Sequence, residues 1–128
     1  MPQKGENIGK IGELLAAKYL SGKGFQIIQM NYLKSYGEID IICEKAGIIH
    51  FVEVKTVSRR TSFQSDLVDS YRPEDNVHNS KLMRIGRVIQ VYIEEKKIKK
   101  EWIFDLITIV LDKDSKKAKI SMLEDLVV

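Results

Sequence analysis

The sequence predicts an α/β domain: a mixed sheet flanked by helices, with elements in the order helix, three strands, helix, two strands. Three observations lead there. Apolar residues recur at helical spacing in two segments, near residues 6–21 and 79–97. Shorter runs rich in Val, Ile and Phe, bounded by Gly, Asn and Asp, have the two-residue period of strands. The chain of 128 residues is the size of one domain and long enough to bury a core without staples.

The first helix is expected over Glu6 to Ser21, with Ile8, Ile11, Leu15 and Tyr19 as its apolar stripe and Leu14 and Ala16 beside it. Gly22 and Gly24 end it. Glu6, Lys10 and Glu13 share another face, so Glu13 is first of all a solvated carboxylate beside Lys10. Phe25 to Leu33 follows as a strand with both faces partly apolar. Two further strands, Glu38 to Glu44 and Ile48 to Thr56, are joined by a turn on Lys45, Ala46 and Gly47.

Val57 to Asp75 lacks periodicity and closes on Arg72-Pro73; following directly on the third strand, it is expected to form a loop over the site. Asn79 or Ser80 caps a second helix that continues to Lys97 and buries Leu82, Ile85, Ile89, Tyr92 and Ile93. The lysines at 96, 97, 99 and 100 are expected to be solvated. Glu101 to Leu111 is a strongly apolar strand, and Ala118 to Val127 is a last strand or frayed tail. Asp105 interrupts an apolar face, so it needs a partner, for which a lysine or arginine is the expectation.

Chemistry is concentrated in the stretch from Gly37 to Thr56, GEIDIICEKAGIIHFVEVKT, where acids interrupt strands that would otherwise be apolar. Alternation puts Glu38, Asp40 and Ile42 on one face, and Ile39, Ile41 and Cys43 on the other. In the next strand Phe51, Glu53 and Lys55 share a face opposite His50, Val52 and Val54. Matching pleats bring Asp40 near Glu53 and Lys55. Two neighbouring carboxylates resist ionisation unless a cation joins them, and oxygen ligands suit a hard ion such as Mg²⁺ or Mn²⁺. Lys55 could then orient or deprotonate a water and offset charge on a phosphate. Glu38, at the strand entrance, is expected to form a rim salt bridge, and Cys43 and His50 to be structural.

The composition excludes several classes. One cysteine rules out an intramolecular disulfide, and two histidines beside it argue against a zinc site. The N-terminus lacks a signal-peptide core and no run reaches membrane-spanning length, so cytoplasm and no membrane are the expectations. A net charge of +3 permits nucleic-acid binding without announcing it. Lys81 and Arg84, near the start of the second helix, could hold a nucleic-acid backbone or simply form a soluble basic face.

Asp40, Glu53-x-Lys55 and their spacing resemble the PD-(D/E)xK nuclease motif. The flanks are Gly12-Glu13-Leu14-Leu15-Ala16-Ala17-Lys18-Tyr19-Leu20, Gly24-Phe25, Asn31-Tyr32, Gly37-Glu38-Ile39-Asp40, Phe51-Val52-Glu53-Val54-Lys55 and Trp102-x-Phe104-Asp105. In that order they are similar to the YraN family of uncharacterised bacterial proteins, which resemble archaeal Holliday-junction resolvases.

The resemblance covers nearly the whole chain. It implies a single restriction-endonuclease-like domain over residues 1–128 and a Mg²⁺- or Mn²⁺-dependent endonuclease acting on DNA, branched or otherwise structured. Asp40, Glu53 and Glu13 would hold the metal with the Val54 carbonyl, Gly9 and Gly12 would let the first helix approach the sheet, and Lys55 would act on the water. A homodimer follows by analogy. Val57 and Ile103 stand where relatives usually carry arginine. Arg59 and Arg60 either replace the first as phosphate contacts or are solvated charges. Two competitors stand beside the nuclease: a non-catalytic nucleic-acid-binding module on the same fold, and a protein-interaction domain in which Glu53 and Lys55 form a surface ion pair.

Overall fold

The computed structural model describes residues 7–60 and 79–128. Helix α1 (Ile8–Gly22) is followed by β1 (Gln26–Lys34), β2 (Gly37–Lys45) and β3 (Ile48–Arg59). Helix α2 (Asn79–Lys96), β4 (Trp102–Asp112) and β5 (Lys117–Leu126) complete the order. The five strands form one sheet in the order β1-β2-β3-β4-β5. Its β3–β4 pair is parallel and the other three pairs are antiparallel. This is the predicted mixed α/β sheet, with the element order of a restriction-endonuclease-like fold.

Local chemistry explains the joints. Ala46 and Gly47, with φ of 52° and 80°, form a two-residue turn of the kind whose twist suits a hairpin. Each face of the sheet carries its own core. Tyr32, Ile42, Phe51 and Phe104 meet Ile85, Val88, Ile89 and Tyr92 of α2. The Tyr92 ring stands edge-on to Tyr32 at 5.0 Å and to Phe51 at 5.6 Å, fastening α2 to the sheet. On the other face Ile41, Cys43, Val52, Ile107 and Ile109 meet Ala16 and Leu20 of α1.

The fully buried line of α1 is Gly12, Ala16 and Leu20; of the expected stripe, Leu15 and Tyr19 pack partly buried beside it, and Ile8 and Ile11 are partly exposed. Small residues decide this: a Cβ on Gly12 would lie 1.8 Å from the Thr56 hydroxyl oxygen, so the helix rests on the sheet at that point. Gly9 has nothing within 4 Å of such a Cβ and is not part of the contact. β3 extends through Val57 to Arg59, pairing with Val110 to Asp112, where a loop was expected. The remainder of that loop, residues 61–75, lies outside the described residues. The last segment is a strand along its length. Lys100, expected to be solvated, pairs with Glu44 at 2.5 Å.

Candidate functional site

The site arises where β2 and β3 part. Their ladder ends at Ile41↔Val52, so Asp40 and Glu53, the next residues, are not paired with each other, while Glu53 stays in register with Leu106 of β4. The Val54 N–H donates instead to Asp40 Oδ2 at 2.8 Å. On the other side of β2, pairs Met30↔Ile41 and Tyr32↔Ile39 bracket Asn31, whose φ of 53° is a left-handed conformation that asparagine tolerates. This irregularity breaks the alternation expected of β2. Ile41 and Cys43 pack toward α1, but Ile39 joins Ile42 on the α2 side.

A cleft of about 380 Å³ opens there between the starts of both helices. Gly9 and Glu13 of α1, Gly37, Glu38 and Asp40 of β2, Glu53 and Val54 of β3, and Lys81, Arg84 and Ile85 of α2 line it. Asp40 and Glu53 are buried, at 7% and 6% exposure. Burial, the Glu53 charge and, more weakly, the Glu13 charge push the Asp40 carboxyl up to about 8, against the lowering effect of the Val54 N–H. Lys81 Nζ reaches Glu53 Oε2 at 2.5 Å.

Glu13 is not the solvated helix carboxylate of the first expectation. Its side chain is only 15% exposed, Asn31 Nδ2 donates to its Oε1 at 2.9 Å, and Lys10 lies 3.6 Å away. Asp40 and Glu53 are therefore the close pair, with Glu13 set back by Asn31. The three do not meet the mutual 4.8 Å spacing of ligand atoms found, among the described residues, at His50, Asp105 and Glu124. Oxygen donors around an under-neutralised buried acid fit a hard cation that keeps some of its waters, through which a set-back carboxylate can act.

The model of the uncharacterised protein family UPF0102 matches residues 12–109, a span that includes Glu13, the Asp40 and Glu53 strands, and Asp105. A UPF0102 protein of Clostridium perfringens is 39% identical over 127 residues, covering 98% of this chain and 97% of its own length. One from Dictyoglomus turgidum is 39% identical over 107 residues, covering 83% and 84%. The chain belongs to the UPF0102 family. This is the YraN-type family that the motifs resemble.

The other predicted site residues of this UPF0102 protein divide into two groups. Lys81, Arg84 and Val54 line the cleft with the acids. Lys55 does not; it is half-buried, opposite Thr108 of β4, with no ion pair among the described residues. Arg59 lies at the far end of β3 opposite Asp112, and Arg60 pairs with Asp114 at 3.2 Å, so neither joins the cleft lining. Glu38 lines the cleft and makes no salt bridge among the described residues, contrary to the rim pairing expected of it. Asp105 also differs from expectation. Its partner is His50, Nδ1 to Oδ2 at 2.6 Å, and its other oxygen accepts from the Asp125 N–H at 3.0 Å.

Asn31 was missed as a positioning residue. The only signal was the residue type, since asparagine tolerates left-handed backbone; with Gln26 and Gln29 in the same strand, its polarity did not set it apart. No described helix is long and apolar enough to cross a membrane.

Proposed function

We propose that the cleft is the metal site of a Mg²⁺- or Mn²⁺-dependent endonuclease that hydrolyses DNA phosphodiesters. The observation carrying this reading is the burial of Asp40 beside Glu53 where the strands separate, with the Asp40 carboxyl raised to about 8 by that burial and by the Glu53 charge. Asp40 and Glu53 would hold the ion, with Val54 beside them. Bound there, a divalent ion supplies Lewis acidity to the phosphodiester. Glu13, steadied by Asn31 and Lys10, would hold and orient a water at the cleft wall. Lys81 and Arg84 would bind the phosphate backbone, Lys81 exchanging Glu53 for phosphate as the ion arrives.

Lys55 would need to turn into the cleft to act on the attacking water or offset charge. A branched substrate with two symmetric strands to cut would call for a homodimer. The second reading, a nucleic-acid-binding module without turnover, is favoured by one observation: Lys55 does not line the cleft.

Cleavage of linear, flap and four-way DNA with Mg²⁺ or Mn²⁺ separates the two. The nuclease reading expects Asp40→Ala and Lys55→Ala to lower the rate by roughly 10²–10⁴-fold. Absence of cleavage by the native protein, with DNA binding intact in both variants, leaves the binding module.

A further inference from the structure

The far end of α1 overlooks a second cavity, of about 480 Å³, between that helix, the β2–β3 turn and the starts of β3 and β4. Its wall holds His50 of β3 and Glu124 of β5, with Asp105 of β4 directly behind. One ligand atom from each of these three side chains lies within 4.8 Å of the others. His50 is 5% exposed and Asp105 fully buried.

Asp105 accepts the short contact from His50 Nδ1. The remaining ring nitrogen, Nε2, has no hydrogen-bond partner among the described residues, although the ring borders the cavity. A histidine nine-tenths buried, oriented by a carboxylate and left with a vacant nitrogen, is arranged as metal-binding histidines are. Glu124 is exposed and able to close on an ion from the solvent side.

We propose that His50 and Glu124, with Asp105 orienting the His50 ring from behind, form a second metal site, selective for a borderline ion of the Zn²⁺ class, which clamps edge strand β5 to β3 and β4. An imidazole nitrogen and a carboxylate suit Zn²⁺, and water from the cavity completes the set. The scarcity of histidine and cysteine argues against zinc in the sequence alone; here Glu124 and cavity water supply the missing ligands.

The backbone supports a clamp at this position. The β4–β5 register slips between Phe104 and Leu106, and Asp125 adopts a φ of 59°, which brings Glu124 and the Asp125 N–H beside Asp105. The two lysines of the cavity rim are held over aromatic rings: Lys45 lies 5.1 Å from the Phe25 centroid and Lys23 lies 5.3 Å from that of Tyr19. Their charge remains the chief opposing influence, which makes affinity for Zn²⁺ the quantity to measure.

The test is Zn²⁺ titration of the native protein by calorimetry with Mg²⁺ in large excess, alongside the visible absorption of Co²⁺ as a coordination probe. One Zn²⁺ is expected to bind native protein and Asp40→Asn alike, with a thermal midpoint that rises on binding. Glu124→Gln, at an exposed position, should weaken binding by more than 10-fold and lose the intense Co²⁺ bands of a four-coordinate site; His50→Gln should do the same if it folds. Equal affinity in Glu124→Gln, no Zn²⁺ binding by native protein, or loss of binding in Asp40→Asn alone would overturn the proposal. Because Asp40→Asn removes only the cleft site, failure there is distinguishable from failure at His50.

Discussion

The two ends of α1 bury carboxylates in opposite ways. At its start Asp40 faces Glu53 and Glu13 and is pushed up to about 8, with Lys81 as a half-exposed counter-ion to Glu53. At its end Asp105 is more deeply buried but surrounded by donors: the His50 ring and the Asp125 N–H. The difference teaches that depth alone does not mark a functional acid. A buried carboxylate whose partners neutralise it holds strands together; one whose neighbours are further carboxylates costs stability until a cation arrives.

The largest expected effect lies at the satisfied end. Asp105→Ala leaves His50 and the Asp125 N–H without their acceptor, and should cost about 3–5 kcal/mol in chemical denaturation. A loss under 1 kcal/mol would erase the contrast. Between the two ends, Gly12→Ala tests the helix they share. Its Cβ would meet the Thr56 side chain, so it should cost roughly 1–3 kcal/mol and, by lifting α1, weaken Mg²⁺ binding through Glu13.

The crowded end should respond with the opposite sign. Asp40→Asn removes a repelled charge and should raise the metal-free thermal midpoint at pH 8 by several degrees, about 1 kcal/mol. The pH dependence follows. Asp40 titrates near 8 when folded and near 3.8 when unfolded, so the folded state keeps a proton that the unfolded chain releases. Its contribution to stability is therefore fully present below about pH 4 and is lost as pH rises toward 8. Thermal melts with a chelator should show this decline in native protein and less of it in Asp40→Asn.

The smallest effect on stability belongs to Lys81→Met. Losing a partly exposed pair should change stability by about 1 kcal/mol or less, while Mg²⁺, no longer competing with the ammonium for Glu53, should bind more tightly.

Much of this was legible in the sequence because period and turn chemistry act locally. The helices, the β2–β3 hairpin on Ala46-Gly47, and the placing of Asp40 opposite Glu53 follow from period and hairpin register, although the alternation of β2 itself breaks at Asp40. What escaped depends on partners distant in sequence. Ile39 changes sides opposite the point where Asn31, on another strand, takes a left-handed conformation; Asp105 finds His50 across the parallel β3–β4 pair; and the fully buried line of α1 is Gly12, Ala16 and Leu20, with Leu15 and Tyr19 beside it, where Gly12 lets the helix rest on Thr56. Lys55 shows the limit of period-two reasoning, since sharing a strand face with Glu53 does not make it part of the cleft lining.

The central claim, that the Asp40–Glu53 pair captures a hard divalent ion, is tested most directly by Mn²⁺ binding followed by electron paramagnetic resonance from pH 6 to 9. One ion should bind native protein, more tightly as pH rises and the proton on Asp40 ceases to compete, and binding should vanish in Asp40→Asn. Equal Mn²⁺ affinity in native protein and Asp40→Asn across that range would contradict the account.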